Sequence, residues 1–326
     1  MKLLIALVVA TASGFIALSY EILWIRVYGF ATEGEPQSFG FLLSAYLTGL
    51  ALGALFARSY CQRTDTEEDG DPLFFVGLFF LIGNIAAFLV VPLTAELLST
   101  RELKPEQLLP LFALAAAGLG TGFPLLSHYA IPADDHAGTR LSYLYVGNIL
   151  GSTIGSLATG LWLLDVLSLR VLTLWLVLVG TAISCLLMAA SSKEPQMRRA
   201  VGASYTLIAV AVLWSSPTVY HGLYEKLLFQ DDYDAARLFA HTVENRSGVV
   251  NMTASGIVYG GGSYDGRPVI DPVRDAGVLD RILAQDAWRG GPTWEDRALI
   301  LARSTDEAII TDDNMATEWW AFDTYP

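Results

Sequence analysis

Residues 72–98 read PLFFVGLFFLIGNIAAFLVVPLTAELL, 27 positions in which Glu96 is the only charge. A helix of that length rises about 40 Å, more than the ~30 Å hydrocarbon core of a bilayer. In lipid a backbone must satisfy its own polar groups, and a helix does so within one segment. Similar runs lie on both sides, at about 3–29, 38–57, 108–131, 141–166, 168–190 and 200–216. Most reach the ~20 residues that a crossing requires. The expected fold is mostly α: a seven-helix transmembrane bundle over 1–216, followed by a small, incomplete α+β extramembrane domain over 217–326.

Composition agrees with this. The chain is 53% hydrophobic and 16% charged, with a mean hydropathy of +0.44, beyond the usual range of a soluble chain. Its net charge of −13 is unevenly placed, because residues 217–326 carry nine Lys/Arg against 18 Asp/Glu. An acidic domain excludes nucleic acid, which needs basic patches, and suits a cation or a basic partner if it is more than a solvated surface. Cys61 and Cys185 fall in a loop and in an apolar run, so no disulfide is expected. The four histidines form no HExxH or i, i+4 pair, so no metal site is expected.

LLIALVVATASG at 3–14 imitates a signal peptide with Ala10-Thr11-Ala12 as its cleavage site. The apolar run continues to Ile25, too long for such a segment, and reads as an uncleaved first helix. With the N-terminus in the cytoplasm, seven Lys/Arg fall on that side and four on the other. The positive-inside rule favours that orientation and places residues 217–326 outside the cytoplasm.

The polar residues within the runs are few. Glu21 and Arg26 share the first helix. Arg26 either snorkels to the headgroups while Glu21 pairs with it or with a neighbouring helix, or the two serve ligand passage or docking of the soluble domain. Gly49 and Gly53, and then Gly147, Gly151 and Gly155, recur every fourth position, the spacing that lets two helix backbones approach. Asn148 beside the second stripe suits an interhelical hydrogen bond. Asn84 and His128 complete the set, and Asp165 reads as a solvated helix end.

Over about 236–272 β-branched and polar residues alternate, with turn signals at Asn245–Gly248, Ala254–Gly256 and Asp265-Gly266. Two or three antiparallel strands are expected. Apolar Val278, Leu279, Ile282 and Leu283 predict a helix at about 276–288, and Thr293 with Glu295 and Asp296 starts another at about 293–303.

GFIALSYEILWIRVYG at 14–29, YLTGLALGALFAR at 46–58, YLYVGNILGSTIGSLATGLWLL at 143–164, FAHTVENRSGVVNMTASGIVYGGGSYDGR at 239–267 and TDDNMATEWW at 311–320 together cover much of the chain. In combination they resemble the bacterial spermidine synthase-like proteins, polyamine aminopropyltransferases with an N-terminal multi-helix membrane domain. The resemblance implies a bacterial inner-membrane location, a polyamine substrate and decarboxylated S-adenosylmethionine as co-substrate. It also implies a hairpin domain approaching the amine, with Tyr259, Tyr264, Asp265 and Arg267 as substrate-binding residues. Rings and a carboxylate would hold an amine by cation–π contact and charge pairing. Those residues equally suit a hairpin whose Asp265-Gly266 forms a I′ turn and whose tyrosines pack across strands.

The family's catalytic core has no counterpart in these residues. It requires a strand, a glycine-rich turn for the nucleoside, an acid for the ribose and a proton-accepting aspartate. Residues 268–326 contain no such pattern, and Gly260-Gly261-Gly262 precede no helix. Asp231, Asp232 and Asp234 read as solvated surface, and Asp312 and Asp313 carry no assigned role. No catalytic residue and no resident cofactor are therefore assigned. The expected function is that of a spermidine synthase-like membrane protein without aminopropyl transfer as it stands. The alternatives are a protein that binds or transports a polyamine or other cation, and a scaffold for a separate catalytic chain. The partners implied are the lipid bilayer, a polyamine, and a second copy or that catalytic chain.

Overall fold

The computed structural model describes residues 2–64, 72–191, 194–236, 238–254 and 256–266. Among the described residues seven helical segments are long and apolar enough to cross a membrane: Leu3–Ala31, Gln37–Gln62, Leu73–Thr100, Pro105–Ala130, Ala137–Val166, Leu169–Ser191 and Pro195–Val219. They are compatible with an integral membrane protein. They are built from α1 (Lys2–Ala31), α2 (Gln37–Thr64), α3 (Pro72–Thr100), α4 (Leu109–Gly120), α5 (Gly122–Ala130), α6 (Ala137–Ala158), α7 (Leu164–Val166), α8 (Leu169–Ser191) and α9 (Pro195–Val219). A short α10 (Leu223–Phe229) follows, then β1 (Phe239–Asn245), β2 (Gly248–Thr253), β3 (Val258–Gly260) and β4 (Ser263–Gly266).

Two crossings are interrupted. The fourth breaks at Thr121 into α4 and α5, where Gly120 and Gly122 flank the break and Pro124, lacking an N–H, leaves the Gly120 carbonyl without its usual i+4 donor. The fifth passes through a π turn at Thr159–Leu163 before α7. Pro92 in α3 likewise frees the Phe88 carbonyl, and the Tyr220 hydroxyl donates to it at 3.2 Å.

Glycine sets how closely the helices approach. A Cβ on Gly151 would stand 1.8 Å from the Thr11 carbonyl oxygen, and one on Gly155 2.5 Å from that of Phe15. Gly147 faces Leu7 and Thr11 in the same row, so the α6 stripe lies on the α1 backbone. Asn148 lies in the same seam, with its backbone and amide oxygens against Gly14 of α1. Gly49 and Gly53 bring α2 against the Ala113 and Ala117 carbonyls of α4. Close backbone packing of this kind holds helices together where burial from water contributes nothing.

Around α1 the core is aromatic. Trp24 meets Tyr20, Tyr46 and Phe112 at centroid distances of 5.9, 6.0 and 5.7 Å, and all four are fully buried. The outward surface is apolar too: Trp214 is 85% and Leu207 71% exposed on α9, as expected of helices solvated by lipid.

The chain divides into two compact units, one of residues 1–251 with 260–263, the other of 252–259 with 264–326. Strands β1 to β4 follow one another in chain order in their sheet, one or two strands more than the turn signals predict. Asn245 closes the first turn, its Oδ1 accepting the Ser247 and Gly248 N–H groups at 2.9 and 3.1 Å. The later turn is not at Asp265-Gly266, which lie in β4. It is at Gly261 and Gly262, whose φ values of +59° and +95° meet the I′ requirement. The helices expected at 276–288 and 293–303 lie outside the described residues.

Candidate functional site

The most elaborate polar arrangement among the described residues joins β1 and the Gly248–Asn251 part of β2 to the ends of α1, α7 and α8, all within the first unit. Its centre is Arg26, near the C-terminal end of α1, whose guanidinium Nη2 donates to the Gly248 carbonyl. Of the roles open to Arg26 in sequence, docking of the segment beyond the membrane is the one this geometry matches. Glu21 is half-buried in α1, within electrostatic reach of Tyr46 on α2.

Three carboxylates complete the arrangement by accepting backbone N–H groups that would otherwise be orphaned. Glu244 Oε2 takes the Leu169 N–H, the first of α8, at 2.7 Å. Asp165 Oδ1 takes the Arg246 N–H at 2.8 Å, and its Oδ2 stands 3.5 Å from the Arg246 Nε. Glu225 Oε1 takes the Phe239 N–H, the first of β1, at 2.9 Å. Asp165 is thus a hairpin ligand rather than only a solvated helix end. The Arg246 Nη1 also reaches the Leu161 carbonyl, within the π turn, at 3.5 Å.

Tyr224 of α10 sits in this cluster with its ring 5.0 Å from that of Phe30. Burial pushes its phenol well above the ordinary value; Glu244 adds to the rise and Arg26 opposes it. Burial also raises Tyr220, against the lowering effect of a hydrogen bond with Thr173. Further ties close the margin. Gln230 Nε2 donates to the Ala31 carbonyl at 3.0 Å, Lys226 pairs with Glu96 at 2.7 Å, and Ser263 Oγ donates to the Glu33 carbonyl at 2.5 Å. A Cβ on Gly262 would stand 2.2 Å from the Phe30 carbonyl oxygen, so glycine is required there by contact as well as by φ.

The Thr242 hydroxyl bonds to Asn251 Oδ1 at 2.8 Å, which sets the register of the hairpin and places Val243 opposite Val250. Val249 and Asn251 are buried on one face, whereas Val243 and Val250 are exposed on the other. Of the substrate-binding residues suggested by sequence, Tyr259 is half-buried in β3. Tyr264 and Asp265 lie on the β4 backbone with side chains outside the description, and Arg267 is outside the described residues. The docking acids Glu244, Asp165 and Glu225 carried no spacing that marks them, since the first two accept from residues 75 and 81 positions away.

Among the described residues no group of three or more His, Cys, Asp or Glu is placed to hold a metal, and neither Cys61 nor Cys185 is in a disulfide. No family model, no curated protein and no solved structure matches the chain.

Proposed function

We propose that this chain is a spermidine synthase-like integral membrane protein of the bacterial inner membrane, acting as a platform for a separate catalytic chain and carrying out no aminopropyl transfer as it stands. The observation that carries the reading is the docked hairpin. Arg26, Glu244 and Asp165 are committed to fixing β1 and β2 on the helix ends, while the exposed Val243 and Val250 remain on the outer face. A rigidly held strand pair with an apolar outer face is a surface for positioning another protein. The resemblance of residues 14–29, 46–58, 143–164 and 239–267 supports the class. Residues 268–326 offer no glycine-rich nucleoside turn.

A photo-crosslinking residue at Val243, introduced in native membranes, tests the platform. A transferase chain should be the adduct identified by mass spectrometry. Adducts to lipid or to nothing would overturn the reading. Calorimetry of the purified chain with the family's thioether product tests the second part and should give no saturable heat. Weak, salt-sensitive heats with a polyamine alone would favour cation binding, for which the net charge of −9 over residues 217–326 is the support.

A further inference from the structure

Asn84 lies near the middle of α3 and is 1% exposed. Its Nδ2 donates to the Phe80 carbonyl at 2.8 Å, but among the described residues no donor reaches Oδ1. The opposing helix makes room for the amide, because a Cβ on Gly180 of α8 would stand 1.9 Å from that oxygen. Asn84 also lines a cavity of about 10 Å³ with Ser13 and Ile16 of α1, Phe80 of α3, and Gly118 and Leu119 of α4. Such a volume matches one water molecule and nothing larger. Its wall has two polar side chains, Asn84 and Ser13, and is otherwise lined by Ile16, Phe80, Gly118 and Leu119.

We propose that this cavity is a binding site for a single water, which bridges Asn84 and Ser13 midway along the bundle. A buried amide oxygen without a donor is costly, and most costly where lipid excludes bulk solvent. One water supplies the missing donor and occupies space that no side chain fills. Water also suits the charge balance, since no carboxylate lines the cavity to neutralise a cation.

The direct test is NMR on the full chain in lipid nanodiscs, measuring cross-relaxation between water and the Asn84 side-chain amide protons. A cross-peak from a long-lived water, weakened in Ser13→Ala, is expected. Its absence in the wild type would overturn the proposal. Melting temperature supplies a second reading through Asn84→Leu, which removes the amide at similar volume. A hydrated site loses its water and the variant melts lower. A dry, unsatisfied amide would make the same variant melt higher, which would also sink the proposal. A melting temperature that rises with sodium but not with an equal concentration of choline would assign the cavity to a cation instead.

Discussion

Glu244, on the first strand of the hairpin, accepts the N–H of Leu169 at 2.7 Å and so caps the first turn of α8 from another part of the chain. A carboxylate at that position satisfies an orphan donor and also faces the positive end of the helix dipole. Glu244→Ala should cost about 1–2 kcal/mol, the usual scale of a lost N-terminal cap. Glu244→Gln should retain part of it. Hydrogen exchange at Leu169 is the specific reporter, and unchanged protection there in Glu244→Ala would show that the cap contributes nothing.

Arg26 binds the second strand of the same hairpin through the Gly248 carbonyl. Charged donors to carbonyls contribute roughly 1.5–3 kcal/mol, and truncation strands the acceptor. Arg26→Ala should therefore increase exchange across residues 239–251 with little effect on the α1–α6 seam. Lysine lacks the planar fork and should rescue only in part. If the amides of β1 and β2 exchange at the wild-type rate in Arg26→Ala, the hairpin is held by the acids alone.

The crossings were legible because run length is a strong signal that does not depend on tertiary partners. Their ends were less so: the apolar run at 200–216 belongs to a helix spanning Pro195–Val219, since a helix continues through Arg198 and Arg199 once its backbone bonds are formed. The break at Thr121 had local signals in Gly120, Gly122 and Pro124, whereas the π turn at Thr159–Leu163 had none. The turn between β3 and β4 went to Gly261-Gly262 instead of Asp265-Gly266 because two dipeptides competed for one turn and contact with the Phe30 carbonyl selects the one without a Cβ. The docking acids were hidden for a related reason. A lone carboxylate at a helix end or in a strand reads as solvated until its distant partner is in place.

Glycine contacts predict opposite outcomes at two positions. Gly151→Leu must displace the Thr11 backbone, which a Cβ would approach to 1.8 Å. A backbone cannot yield as a side chain does, so a marked loss of melting temperature is expected. A Cβ at Gly202, inside α9, would meet nothing within 4 Å. Gly202→Ala should leave packing untouched and gain roughly 0.5–1 kcal/mol of helix propensity. Equal melting temperatures for the two variants would mean that the α1–α6 seam is looser than its geometry.

Tyr224 gives the hairpin a dependence on alkaline pH. Its phenol is held well above its ordinary value of 10, first by burial and then by Glu244, with Arg26 opposing. The neutral phenol is therefore the form that the docked state prefers. Because the folded value is raised above the unfolded one, this contribution is fully present below about pH 10. It is lost as the pH climbs from there towards the folded value, because the unfolded chain releases the proton first. Hairpin protection should thus decline above pH 10 in the wild type, while the helix amides of the α1–α6 seam stay protected. Phe in place of Tyr224 removes the titrating group, so Tyr224→Phe should flatten the decline attributable to this residue. Tyrosinate absorbance, compared between the two proteins, supplies the independent check: the component missing from the variant should titrate above pH 10. A component that titrates at or below 10 would place Tyr224 in solvent and break the link between its burial and the docked hairpin.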